Sequence, residues 1–183
     1  TSIMRTYDVD VAILGTGTAG LSAYRAAVAQ GKRALLIESG PYGTTCARVG
    51  CMPSKLLIAA ADAAHMMEVS PGFGVHAGEI RIDGKAVMAR VQRERDRFVG
   101  FVLDSVESIP DTDKLIGHAR FTSQRALQVD DHSIVKATRF VIATGSTPIK
   151  LDVLAPGGAA IISSDDIFEL PDLPKSMAVI GTG

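Results

Sequence analysis

The sequence predicts an α/β fold built on a parallel sheet, and three observations predict it. A short β-rich apolar run, Val9 to Leu14, leads straight into Gly15-Thr16-Gly17-Thr18-Ala19-Gly20. An alanine-rich helical pattern from Leu21 to Gln30 stops at Gly31, and a second buried strand, Ala34 to Ile37, ends in Glu38. Beyond Lys114 the apolar period changes from helical to two, which adds an antiparallel meander to the parallel core.

Strand, glycine turn, helix and second strand form a Rossmann-like βαβ unit carrying the dinucleotide fingerprint in its required context. Gly15 serves the tight turn, Gly17 the close approach of a pyrophosphate and Gly20 the packing of helix on strand. The phosphates would rest on the helix N-terminus. Glu38, eighteen residues beyond Gly20, is placed to accept hydrogen bonds from ribose hydroxyls, so a cofactor with a free 2′-hydroxyl is expected.

The only two cysteines follow, in Thr44-Thr45-Cys46-Ala47-Arg48-Val49-Gly50-Cys51-Met52-Pro53-Ser54-Lys55. On a regular helix, residues five apart have Cα atoms roughly 8 to 9 Å apart, beyond the about 7 Å that a disulfide spans. A bridge here needs a distorted helix start, and Gly50 relaxes the backbone there. Pro53, with no N–H to donate, is harmless only in a first turn. Sulfurs near a helix N-terminus feel a field that favours the thiolate, and Lys55 adds positive charge. Three readings stand: a redox-active disulfide, a structural staple, and two inert buried thiols. A staple closing so short a loop stabilises by only ~2 kcal/mol on the chain-entropy model. A lone pair in a reducing compartment suits catalysis better than structure, which favours the redox reading.

Lys55 to Met67 continues as a helix rich in alanine, leucine and isoleucine, and Pro71-Gly72-Phe73-Gly74 breaks the chain before a short strand expected at Glu79 to Ile82. Val87, Val91, Phe98, Val102 and Val106 recur at helical spacing and predict a long amphipathic helix from about Lys85 to Ser108. The meander is read as Leu115 to Phe121, Ala126 to Val129 and Ile134 to Ala137. A separate crossover strand, Phe140 to Ala143, ends at the turn Thr144-Gly145-Ser146-Thr147-Pro148. After a linker from Pro171 to Pro174, Met177-Ala178-Val179-Ile180-Gly181-Thr182-Gly183 repeats the opening strand-plus-glycine pattern and stops partway, as in a piece of a longer two-dinucleotide protein.

Composition narrows the class. The 183 residues are 46% hydrophobic with 18 glycines and a formal net charge of -1, which suits one well-cored domain and gives no basic tract for nucleic acid or an anionic membrane. No apolar stretch reaches the roughly 18 residues of a membrane span, and no signal-peptide core precedes the first strand, so a cytoplasmic protein is expected. The four histidines are scattered and form no metal-ligand spacing with the cysteines.

Taken together, the glycine turn with Glu38, Thr45-Cys46 through Gly50-Cys51-Met52-Pro53-Ser54-Lys55, Gly117-His118-Ala119-Arg120-Phe121, Ala143-Thr144-Gly145-Ser146 and Gly181-Thr182-Gly183 resemble the FAD-dependent pyridine nucleotide-disulfide oxidoreductases. The likeness is greatest to their dihydrolipoamide-oxidising branch. Ser54-Lys55 is similar to the dihydrolipoamide and mercuric ion enzymes rather than the glutathione reductases, which tend to carry two lysines. The chain departs from the family's usual pattern at Thr44, where a second glycine is customary, and at Arg48, which replaces an asparagine and bears on the thiols or on an anionic substrate.

The resemblance covers only the family's FAD-binding portion. It implies an FAD-binding domain over residues 1–175 and, at 176–183, the first strand and partial glycine loop of a truncated NAD-binding domain. It implies FAD as cofactor, with NAD in the full-length protein, and the following contacts. Gly15, Gly17, Gly20 and Glu38, with Thr18, Ala19 and Ser39, would hold the ADP half, while His118 and Ala119 meet the adenine. Thr45, Lys55, Thr144, Gly145 and Ser146 would lie on the flavin side. Cys51 would be the thiol nearest the flavin, acting as a charge-transfer thiolate, and Cys46 the outer thiol that exchanges with a small-molecule or lipoyl-domain dithiol. The full-length protein would be a homodimer whose C-terminal domain supplies the partner's catalytic His-Glu pair, leaving this chain inactive by itself. Other readings are a disulfide or mercuric ion reductase of the same family and a non-catalytic flavin-binding module.

Overall fold

The computed structural model describes residues 4–181, and the chain divides into two compact units, one of residues 1–46 and 99–147, the other of 47–98 and 148–183.

The first unit is a six-stranded sheet. Arg5–Leu14 (β1) and Ala34–Glu38 (β2) run parallel, joined by the helix Thr18–Ala29 (α1), in the register Val11↔Ala34 to Leu14↔Ile37. The sequence dictates this pairing: the segments that pair, Val11 to Leu14 and Ala34 to Ile37, are apolar and covered on two faces, as a parallel sheet requires. Ala12, Leu14, Leu35 and Ile37 enter one core, while Ile13, Ala34 and Leu36 enter the other together with Leu21 and Tyr24 of α1 and with Val106 and Ile109. The Tyr24 hydroxyl donates to Asp113 Oδ2 at 2.7 Å, which lets a phenol sit in the second core.

Three short strands follow the long helix described below: Lys114–Ile116 (β3), Ala119–Ser123 (β4) and Ala126–Val129 (β5). The last strand, Ser133–Ile142 (β6), is ten residues long, and the sheet order is β3-β2-β1-β6-β5-β4. Here the structure corrects the sequence reading twice. Leu115 and Ile116 pair parallel with β2 instead of opening the meander, because Gly117, at φ +146°, breaks the run before β4. Ile134 to Ala137 and Phe140 to Ile142 form one strand. β6 stays parallel to β1 from Arg5↔Ser133 to Leu14↔Ile142, while only its first half is antiparallel to β5. Thr138 and Arg139, between the two expected strands, lie where β6 has lost its β5 neighbour, and Thr138 Oγ1 donates to the Asp10 carbonyl.

The second unit is helical. Thr45–Val49 (α2) bridges the two units in sequence and is followed by Cys51–Val69 (α3), a one-turn 3-10 helix at Ser70–Phe73, and the first half of Gly84–Glu107 (α4), whose last turns belong to the sheet unit. Within it, Met88 and Val91 of α4 are buried, as is Phe168. Gln92 Nε2 donates to the carbonyls of Phe168 and Leu170, and Arg95 pairs with Glu169 and Asp96, fastening this stretch to the helix.

Glu79 to Ile82 forms no strand, nor does Met177 to Ile180; a strand exists only against a neighbour that completes its ladder, and among the described residues neither segment has one. Thr182 and Gly183, the end of the repeated glycine pattern, lie outside the described residues. No described helix is long and apolar enough to cross a membrane.

Candidate functional site

The glycine turn closes the carboxyl end of β1. The Gly15 N–H donates to the Ile37 carbonyl at 2.8 Å, and Gly15 adopts φ +105°, where L side chains are strained. A Cβ there would stand 2.2 Å from the Ala143 carbonyl oxygen, so the turn lies directly against the residues that follow β6. Ala143 in turn donates to the Leu14 carbonyl, which brings Thr144, Gly145 and Ser146 to the same edge, all exposed. Gly20 is equally tight, since a Cβ would meet Gly15 O at 1.9 Å; this close packing sets α1 on the strand. Gly17 is the opposite case, with nothing within 4 Å of the Cβ position. It is the N-cap of α1, where no side chain caps the helix and no acidic residue occupies the first turn. Thr18 and Ala19, both exposed, begin the helix. The amides there carry the partial positive charge of a helix start and keep an unobstructed approach.

Glu38 ends β2 beside this turn. Its Oε2 accepts from the Thr16 N–H at 2.8 Å and from Thr16 Oγ1 at 2.7 Å, and Oε1 accepts from the Gly40 N–H at 3.0 Å. Partial burial pushes the carboxyl upward. The bonds from Thr16 and Gly40, with the Ser39 amide, outweigh it and hold the group below the usual glutamate range. The Glu38 carbonyl accepts from the Gly117 N–H at 2.9 Å, which draws the β3–β4 turn to the same edge. His118 and Ala119 come next and, with Arg120, Gln128 and Asp130, line a shallow cavity of about 260 Å³.

The sheet unit therefore collects the glycine turn, Glu38 and the turns after β3 and β6 at one edge, the carboxyl edge where open α/β sheets bind ligands. Sequence reasoning missed Thr16, which is 1% exposed and bonded to a residue 22 positions away. It fills one of the unspecified positions of the fingerprint, where the motif carries no signal.

The cysteines lie on consecutive helices. Cys46 is the second residue of α2, after the exposed Thr45, and Cys51 is the first of α3; Gly50, at φ −125° and ψ −117°, breaks the chain between them. Ser54 N–H makes the first bond of the new helix, to the Gly50 carbonyl, so the missing donor of Pro53 leaves no intrahelical bond unmade. Cys51 and Lys55 are exposed and Cys46 is half-buried.

A model of the family described as pyridine nucleotide-disulphide oxidoreductase matches residues 9–183. The chain belongs to this family. Among pyridine nucleotide-disulphide oxidoreductase relatives, it is 31% identical over 181 residues to a dihydrolipoyl dehydrogenase of Bacillus subtilis (strain 168), covering 94% of this chain and 39% of the relative. It is 32% identical over 180 residues to a glutathione reductase of Burkholderia cepacia, covering 98% and 39%. Its fold matches the copper(II) complex of a mutant of the HOCl-induced flavoprotein disulfide reductase RclA from Escherichia coli, with TM-score 0.72 at 21% identity, over 93% of this chain and 36% of that one. The chain thus spans 39% of the length of these two curated relatives.

Proposed function

We propose that this chain is the FAD-binding part of a flavoprotein disulfide oxidoreductase that moves two electrons between a dithiol or disulfide substrate and NAD(H) by way of Cys46 and Cys51. One observation carries the reading: the carboxyl edge joins an open Gly17, an uncapped helix start and an ionised Glu38. These groups fit an adenine dinucleotide. The α1 amides would take its pyrophosphate and Glu38 its ribose hydroxyls, with Thr144 to Ser146 on the flavin side. When bound, FAD supplies a two-electron relay between the thiols and a nicotinamide.

The thiol chemistry belongs to the chain itself. In the dithiol-oxidising direction, a substrate thiolate attacks Cys46 Sγ of the bridged pair and releases Cys51 as the leaving thiolate. The second substrate thiol then displaces Cys46 from the mixed disulfide. The substrate leaves as a disulfide, two electrons and two protons poorer, and the pair is left as the dithiol.

In this reading residues 1–175 are the FAD-binding domain, 176–183 begin a NAD-binding domain, and the whole protein is a homodimer acting on a dihydrolipoamide-type dithiol. Ser54-Lys55 supports that substrate over a glutathione-like disulfide, and mercuric ion is the runner-up. The test is to purify the chain, add FAD and remove the excess. Retained yellow colour with quenched flavin fluorescence is expected, and a protein that stays colourless overturns the proposal. Counting thiols before and after mild dithiol treatment of the oxidised chain then separates a redox pair, which reduces readily, from a staple, which resists.

A further inference from the structure

We propose that Thr16 is a positioning residue: its hydroxyl and amide together fix the Glu38 carboxylate at the sheet edge in the orientation that accepts hydroxyl groups of a bound dinucleotide. The inference rests on the dinucleotide reading above and goes beyond the fingerprint, which specifies nothing at this position.

The argument is one of counting and burial. A carboxylate offers about four acceptor sites, two on each oxygen. Thr16 takes both on Oε2, at 2.8 Å from its amide and 2.7 Å from its hydroxyl, which leaves Oε1, also bonded by the Gly40 N–H, as the oxygen that meets a ligand, with the Ser39 amide a further donor to the carboxylate. Without Thr16 the carboxylate would turn about its last torsion, which is broad and poorly restrained by itself. Thr16 is held firmly enough to prevent this. It is 1% exposed, and its neighbour Gly15 is fixed by the Ile37 carbonyl and packed against Ala143. A hydroxyl that donates to a carboxylate also stabilises the charged form, consistent with the lowered pKa of Glu38.

Other groups lie around the same carboxylate. The Gly40 and Ser39 amides bond to it, and Tyr42, on the segment after β2, is raised by burial and then by the charges of Glu38 and Asp111. A substitution at Thr16 leaves these groups in place, so a difference between wild type and variant reports Thr16.

The experiment measures FAD binding to the 183-residue chain by flavin fluorescence across acidic pH, for wild type, Thr16→Val and Thr16→Ser, with circular dichroism as the check on folding. Thr16→Val keeps the shape and the amide but loses the hydroxyl. It is expected to bind FAD on the order of tenfold more weakly, and its binding is expected to fail at a higher pH than that of wild type, because the carboxyl protonates earlier. Thr16→Ser restores the donor and is expected to match wild type in both. A Thr16→Val protein with wild-type affinity and pH dependence overturns the inference alone, whereas a wild-type chain that binds no FAD overturns the dinucleotide reading and the inference with it. If Thr16→Val does not fold, Thr16→Ser decides, since a serine variant with lowered affinity contradicts a role carried by the hydroxyl.

Discussion

Gly17 and Gly20 share a motif and three residues of chain, yet the space around them is opposite, and this separates a binding role from a folding one. Gly17→Ala places its methyl in open space, so the melting temperature is expected to hold within a few degrees while FAD binding falls by at least tenfold. Gly20→Ala drives a methyl to 1.9 Å from a backbone oxygen and is expected to destabilise by about 3 kcal/mol or more, visible in thermal melts without any ligand. Tyr24 makes a different kind of statement. Burial first, then the bond to Asp113 and its charge, push the phenol up to about 12. The unfolded chain ionises before the folded one, so this contribution is complete below pH 10 and disappears as pH rises through the folded value. Alkaline titration of phenolate absorbance is expected to lose its latest step in Tyr24→Phe, which also costs about 1–2 kcal/mol at neutral pH. The fingerprint glycines and Glu38 were legible because spacing alone identifies them. Thr16 and Asp113 were not, since a hydrogen bond across 22 or 89 positions leaves no periodic trace.

Among the elements, the helices were read most accurately because apolar spacing repeats over many turns. For α4 the expected limits, Lys85 to Ser108, differ by a residue at each end from those observed. Its buried positions are another matter: Met88, Val91, Arg95, Val99 and Val106 are covered, and a count of apolar residues passes over the arginine. Arg95 buries its stem and carries its guanidinium to Glu169, which is itself largely exposed. Glu169→Gln is therefore expected to cost less than about 1 kcal/mol, while Arg95→Ala, which removes the packed stem, costs about 2 kcal/mol. Amide exchange around Phe168 should rise in the second variant and change little in the first. Strands were the weaker reading. Alternation marks a segment that is able to pair, and the partner decides whether it does, which is why β3 joined β2 and Met177 to Ile180 joined no strand among the described residues.

At the scale of the molecule, the α/β class, the parallel core and the meander were all legible, because they follow from where the apolar period changes. Strand continuity was not, because one strand with different neighbours along its length looks like two. The charge on Glu38 reaches this scale through stability. Its folded pKa lies below the ordinary 4.5, so its contribution is present above that value and is lost as pH falls through the folded one. Denaturant titrations from about pH 6 downward are expected to show wild type losing stability more steeply than Glu38→Gln. The molecule also leaves large apolar side chains bare, among them Met66, Phe73, Val75 and Ile149. Binding of a hydrophobic dye by the folded chain is the expected outcome.

The long β6 strand finally bears on how the protein is made. Arg5 pairs opposite Ser133 and Leu14 opposite Ile142, so β1 leaves the ribosome well before the strand that completes its hydrogen bonds. Until then a nascent β1 has one free flank, open to proteases and to chaperones. A chain stalled before Ser133 should be digested within β1, and one extended past Ile142 far enough for β6 to clear the ribosome should be protected.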